Sequence, residues 1–239
     1  MDAGITLNGV HYGVQGKTIL HGIDLSLTEA RIGIIGRNGS GKTTLLRIMA
    51  GLLEPSAGRV AVAGTAATDR KAMIAALGIL FQSPDHQIIF PTVDEELAFG
   101  LRQLGRSAQD ARAEVLALLT REGRAHWVQA LVSNLSQGQK QWLCLQAILL
   151  MKPATLLLDE PFAALDLPTQ ARLQRRLATL PQRIVTISHD PAAVAQCDRV
   201  IWLEGGAVAA DGPPAAVLPA FRAEMARIGE ADADTDLAG

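Results

Sequence analysis

The sequence predicts an α/β fold: a sheet of mainly parallel strands carrying a glycine-rich loop, a β-rich segment before it and a helical insertion within it. Three observations predict this. Gly36-Arg37-Asn38-Gly39-Ser40-Gly41-Lys42-Thr43 matches G-x-x-x-x-G-K-[ST] at every fixed position, between an apolar run, Arg31 to Ile35, and a helix-like run, Thr44 to Ala50. Short continuous apolar runs at 155–158, 184–187 and 200–203 suit strands covered on both faces. The intervening stretch from Ser83 to Met151 is mostly helical in pattern.

Taken in order, residues 4–28 read as β-rich, with strands at Ile5-Thr6-Leu7 and Ile19-Leu20 and with Gly13 and Gly16 as turn residues. Ile23, Leu25 and Leu27 alternate with polar residues, the pattern of a half-buried strand. Leu45, Leu46, Ile48 and Met49 give the helix after the loop its apolar face, and Gly51 is its expected stop. Strands are expected again at Val60-Ala61-Val62 and Leu77 to Phe81. In the helical stretch, Thr92-Val93-Asp94-Glu95 reads as a capping box ahead of Leu97, Phe99 and Leu101. Ser107 opens a helix containing Leu116 and Leu119, and Ser136 opens one burying Leu143, Leu145, Ile148 and Leu149. Helices at 167–180 and 191–196 connect the later strands. The expected organisation is one domain over residues 1–229, with the helical subdomain at about 83–151, and a disordered acidic tail at 230–239.

Composition narrows the function. The 239 residues are 49% hydrophobic, enough for a full core, and the net charge of −2 offers no basic field for nucleic acid. The two cysteines, Cys144 and Cys197, have neither disulfide-framework nor zinc spacing. No basic, apolar leader and no apolar run of membrane-spanning length is visible.

The chemistry begins at the glycine loop. Its glycines allow successive amides to turn toward a phosphate, and the helix starting there adds its positive dipole end. Asn38, Gly39, Ser40, Gly41, Lys42, Thr43 and Thr44 are therefore the candidate nucleotide contacts. Lys42 supplies charge to the β- and γ-phosphates, and the Thr43 hydroxyl is a Mg²⁺ ligand. Leu156-Leu157-Leu158-Asp159-Glu160 is an apolar strand ending in two carboxylates: Asp159 suits Mg²⁺, and Glu160 suits a general base acting on water. Leu135-Ser136-Gln137-Gly138-Gln139 places a capping serine and a small glycine at a helix start, a second phosphate-binding device. One nucleotide rarely needs two such devices from one chain, which points to a site completed by a second chain. Gln82 and His189 close strands, and Tyr12 could stack on adenine or simply pack.

These motifs together resemble the nucleotide-binding domain of ATP-binding cassette (ABC) proteins over about residues 4–215. Walker A (Gly36 to Thr43), Q-loop (Gln82), signature (Leu135 to Gln139), Walker B (Leu156 to Glu160), D-loop (Ala164-Leu165-Asp166) and H-loop (His189) follow in the family's order. Phe81-Gln82-Ser83-Pro84-Asp85-His86-Gln87 and Pro91 to Gly100 resemble energy-coupling factor (ECF) transporter ATPases, and the short chain is most similar to their biotin-uptake branch. Two departures stand out: Gln137 occupies the place of a signature glycine, and Trp142 stands where a basic residue is common.

The resemblance implies a P-loop NTPase core with an N-terminal antiparallel β subdomain. It implies ATP and Mg²⁺, the latter placed by Thr43, Gln82 and Asp159. Glu160, His189 and Gln82 would be catalytic, and Ser136, Gln137, Gly138, Gln139 and Asp166 would act in trans from a second subunit, a homodimer. It implies a transmembrane coupling protein docked near Ser83 to Phe99, with Asp94, Glu95 and Glu96 meeting its arginines or merely favouring a helix start, and a membrane protein that captures substrate. The chain would lie on the cytoplasmic face of the membrane. The alternatives are an ATPase of a conventional transporter and a soluble ABC ATPase.

Overall fold

The computed structural model describes residues 4–230. They form two compact units, one built from the residues up to Thr68 with those from Ile184 onward, the other from Asp69–Arg183.

In the first unit, β1 (Ile5–Val14) and β2 (Lys17–Leu27) make an antiparallel hairpin. Gln15 and Gly16, both at positive φ, form the tight connection whose twist suits a hairpin. Gly13 lies inside β1 at a register irregularity and is not a turn residue. The runs at 19–20 and 23–27 are one strand, not two. β3 (Arg31–Ile35) follows, then α1 (Lys42–Met49), β4 (Ala57–Val62) and the short β5 (Thr65–Ala66). Strand order β2-β1-β4-β5 gives an antiparallel sheet. Gly51 ends α1 at φ +68, its amide donating to Ile48 O; a Cβ there would strike the Ala67 carbonyl.

The second unit opens with α2 (Arg70–Ala76), capped by Asp69, and β6 (Leu77–Leu80). Then come α3 (Val93–Gln103), α4 (Ala108–Arg121) and α5 (Gln137–Leu150), which share a core of Val93, Leu97, Leu101, Val115, Leu119 and Leu143. The α4 stripe is Ala111, Val115, Leu118 and Leu119; Leu116, expected inside, is half exposed because it falls off that 3.6-residue face. Thr92 is the N-cap of α3, yet the capping box does not form: its hydroxyl donates to the Asp94 and Glu95 carboxylates instead of accepting from the backbone. β7 (Thr155–Asp159) is fully buried and pairs in parallel with β6, and α6 (Leu167–Ala178) closes the unit.

The chain then returns to the first unit through β8 (Arg183–Ser188), α7 (Pro191–Val194), β9 (Arg199–Glu204), β10 (Ala207–Gly212) and α8 (Pro214–Glu230). β3 lies between β8 and β9, parallel to both, and β10 pairs antiparallel on β9. β10 and α8 have no counterpart in the sequence reading. α8 reaches Glu230, the first residue of the expected tail; residues 231–239 lie outside the described residues. Val217, Leu218 and Phe221 of α8 cover Ile35, Val194 and Val200.

Arg199 ties this unit together. It forks onto Asp211 with two 2.6 Å bonds and reaches Ser26 O and Glu29. For Glu29, partial burial opposes ionisation, but backbone hydrogen bonds and the Arg199 charge outweigh it and lower its pKa below the ordinary 4.5. A folded-state pKa below the unfolded value contributes stability above about pH 4.5, lost as pH falls through the depressed value. Arg199→Ala should therefore cost about 2 kcal/mol at neutral pH, the scale of charged hydrogen bonds, and less at pH 3. Urea unfolding at the two pH values measures this.

Candidate nucleotide site

The loop between β3 and α1 is built by close approach. Gly36 is buried, and a Cβ on it would fall on the Leu203 carbonyl and 2.6 Å from Ser40 Oγ. Gly39 and Gly41 take φ +80 and +99, and the space beside Gly39 is open. The turn is anchored by Ser40 N donating to Arg37 O (3.2 Å) and by Gly206 N, in the β9–β10 turn, donating to Ser40 O (3.1 Å). Arg37 pairs with Glu204 at 2.7 Å.

Three features make this loop an anion cradle. Gly41, at the N-cap of α1, has no side chain to satisfy the helix's first amides. The Ser40 hydroxyl is buried without a hydrogen-bond partner, an orphan that a phosphate oxygen would satisfy. Lys42 is 6% exposed, and its Nζ donates to Gly36 O (2.7 Å) and Arg37 O (2.8 Å), which fixes its charge along the loop. Asn38 and Thr43 are exposed and Thr44 is half-buried.

His189 is exposed directly after β8. With Gly36, Arg37, Asn38, Pro191 and Phe221 it lines a cleft of about 400 Å³, so this unit brings the H-loop residue and the glycine loop together. Tyr12 is half-buried in β1 opposite Leu20.

In the second unit, Asp159 ends β7 and is 6% exposed; Glu160 follows at φ +47, a left-handed conformation unusual outside glycine. The turn beyond it is braced by two glutamines. Buried Gln141 donates to Pro161 O (3.3 Å), and Gln170 donates to Phe162 O (3.1 Å) and Leu165 O (2.9 Å). Nothing in the sequence singled out Gln141 or Gln170, because both bond backbone carbonyls, which no residue pattern marks. Asp166 caps α6, accepting from Thr169 N (2.8 Å), and hydrogen bonds from the Thr169 side chain and then its backbone lower the Asp166 pKa.

Ser136 and Gln139 form a reciprocal capping box on α5: Ser136 N donates to Gln139 Oε1 (2.7 Å) and Gln139 N to Ser136 Oγ (3.4 Å). Gly138 packs so closely on α6 that a Cβ would lie 2.8 Å from Thr169 Cγ2. Trp142 packs edge-on against Trp127, with the Arg124 guanidinium 3.9 Å over its ring.

Gln82 is exposed after β6. The following segment is held from inside. Gln87 accepts from Phe81 N and donates to Ile79 O, and Glu96 Oε2 accepts from the Ile89 and Phe90 amides at 2.9 Å each. Glu96 is 6% exposed, so it braces this loop from within and is not placed to meet a partner arginine, unlike exposed Glu95. Both thiols are free, and burial pushes Cys144 and Cys197 up to about 12. Among the described residues no cluster of three His, Cys, Asp or Glu could hold a metal.

The ABC transporter family model matches residues 20–163. The biotin transport ATP-binding protein BioM of Rhodobacter capsulatus is 51% identical over 222 residues, 92% of this chain and 94% of that one. The nickel import ATP-binding protein NikO of the same bacterium is 39% identical over 234 residues, 91% and 92% of the two chains. The solved structure of cbiO1 from Clostridium perfringens, described as part of the ABC transporter complex cbiONQ, superposes with a TM-score of 0.78 at 28% identity, covering 96% of this chain and 98% of that one. Its ordered motifs, its anion cradle at α1 and these likenesses agree: the chain belongs to the ABC transporter ATP-binding family.

Proposed function

We propose that the chain is the ATP-hydrolysing subunit of an ECF-type importer, with biotin as the favoured cargo. The likeness to a biotin transport ATP-binding protein over nearly both full lengths carries this reading. Two copies meet head-to-tail, and each ATP is held by the glycine loop of one and by Ser136, Gln137, Gly138 and Gln139 of the other, with Asp166 linking the two sites. Lys42 and the loop amides bind the phosphates; Tyr12 offers a face to the base. Thr43, Gln82 and Asp159 would supply hard oxygen donors for Mg²⁺. A Mg²⁺ ion there would be held by few protein oxygens together with phosphates and water. Glu160 takes a proton from the attacking water and His189 contacts the γ-phosphate. Hydrolysis removes the shared ligand and the copies part.

In this reading the receiver of that motion is a transmembrane coupling protein; no helix of the described residues is itself long and apolar enough to cross a membrane. Such a complex puts the chain on the cytoplasmic face. The coupling protein docks near Ser83–Phe99, where Ile89 is 67% exposed above the Glu96 brace. Ile89→Asp should abolish assembly with the coupling protein while leaving the melting temperature within a few degrees; co-purification and a melting curve decide it. The reading as a whole is tested by pulling the tagged protein from its own membranes in detergent. A coupling protein and a small substrate-capture protein are expected; a conventional permease pair, or soluble partners alone, would overturn it.

A further inference from the structure

Gln137 lies between Ser136 and Gly138 at the first position of α5, where its side chain is exposed at the mouth of that helix. A free glutamine there is a hazard. Its carbonyl can fold onto the helix's own leading amides, and its bulk can cover the turn. The structure shows it turned away. Gln137 Nε2 donates to Asp85 Oδ2 at 2.9 Å, and Lys140, one helical turn on, donates to Asp85 Oδ1 at 2.6 Å. A carboxylate only accepts, so the amide nitrogen must face it and the amide carbonyl must face away. Asp85 lies on the short 3₁₀ turn Pro84–His86, three residues after Gln82. Both oxygens are thus engaged by α5, and those bonds lower the Asp85 pKa, so it stays ionised at neutral pH.

We propose that Asp85 is a positioning residue that pins the Gln137 side chain along the flank of α5 and keeps the Ser136–Gly138 turn open to nucleotide. The capping box of Ser136 and Gln139 already satisfies Ser136 N and Gln139 N, so the amides of Gln137 and Gly138 are the ones left to meet an anion. The pin keeps the glutamine from occupying them. It also makes the chain's departure at this position tolerable: the long side chain is accepted because a carboxylate on the neighbouring turn holds it aside. This rests on the reading of the turn as a nucleotide contact given above.

The prediction is an epistasis. Asp85→Ala should lower ATP turnover about fivefold or more, the rate equivalent of one hydrogen bond. Adding Gln137→Ala to Asp85→Ala, which removes the loose side chain but keeps the Gln137 backbone amide, should recover the turnover that Asp85→Ala loses. A merely structural Asp85 would be as damaged in the double variant as in the single one, and that result overturns the proposal, as does full activity in Asp85→Ala. The pin itself is read directly by NMR of the side-chain amides in the full chain. The Gln137 NH₂ pair should sit away from the free-glutamine position in the wild type and return to it in Asp85→Ala; no change refutes the pin. Wild-type protein that hydrolyses no ATP would instead overturn the functional reading, and the amide resonances then decide the pin alone.

Discussion

Glu160→Gln is expected to bind ATP and form the nucleotide-joined dimer, yet turn over at least ~100-fold more slowly, the scale on which a general base acts. The geometry gives a reason beyond the motif. Glu160 follows the last residue of a fully buried strand and adopts φ +47, a conformation that costs a non-glycine residue about 1–3 kcal/mol. A chain free to relax would leave it. The turn is over-determined by Pro161, whose carbonyl is held by Gln141, and by Gln170, which clasps the Phe162 and Leu165 carbonyls. The carboxylate is thereby aimed by its backbone and not by its rotamer alone. Glutamine has the same shape and can keep that backbone, but it cannot take a proton from water, so binding and catalysis should separate. Equilibrium ATP binding beside phosphate release measures both; near-normal phosphate release would refute the role.

Lys42→Ala is expected to weaken ATP binding at least ~30-fold, because truncating one partner of a desolvated charge pair costs about 2 kcal/mol or more. Lys42 is 6% exposed and its ammonium already bridges the Gly36 and Arg37 carbonyls, so it arrives at the phosphates held in place with little conformational freedom left to lose. Removing it also takes the ammonium donor from the Gly36 carbonyl and leaves Arg37 O with Ser40 N. Loop stability should fall with affinity, and a melting curve without nucleotide separates the two losses. Unchanged affinity in a folded Lys42→Ala protein would sink the assignment of the loop.

What the sequence made legible was whatever a local pattern dictates. The glycine loop is spelled by residues whose reasons are local: Gly36 has no room for a Cβ, Gly39 and Gly41 take positive φ, and Gly51 stops α1. The buried runs of β3, β7, β8 and β9 were equally plain because both faces are covered. β10 was not. Its Ala207-Val208-Ala209-Ala210 is small and partly exposed, and only pairing with β9 makes it a strand. Long-range polar contacts were invisible for the same reason. Gln141 reaches Pro161, Gln137 reaches Asp85 across 52 positions, and Glu96, expected to meet a partner's arginines or to favour a helix start, braces a loop. Thr92 shows the converse error: the letters of a capping box were present, but neighbouring carboxylates took the hydroxyl first.

The two cysteines have a practical consequence. With both thiols pushed up to about 12, their thiolate fraction near pH 8 is about 10³-fold below that of an ordinary cysteine. The native chain is therefore expected to react slowly with maleimides near pH 8, without any cysteine being removed. A single cysteine introduced at exposed Ile89 or Asn38 would be the one fast-reacting thiol. Spectroscopic labels and crosslinkers placed there would probe the proposed docking segment and the glycine loop one at a time.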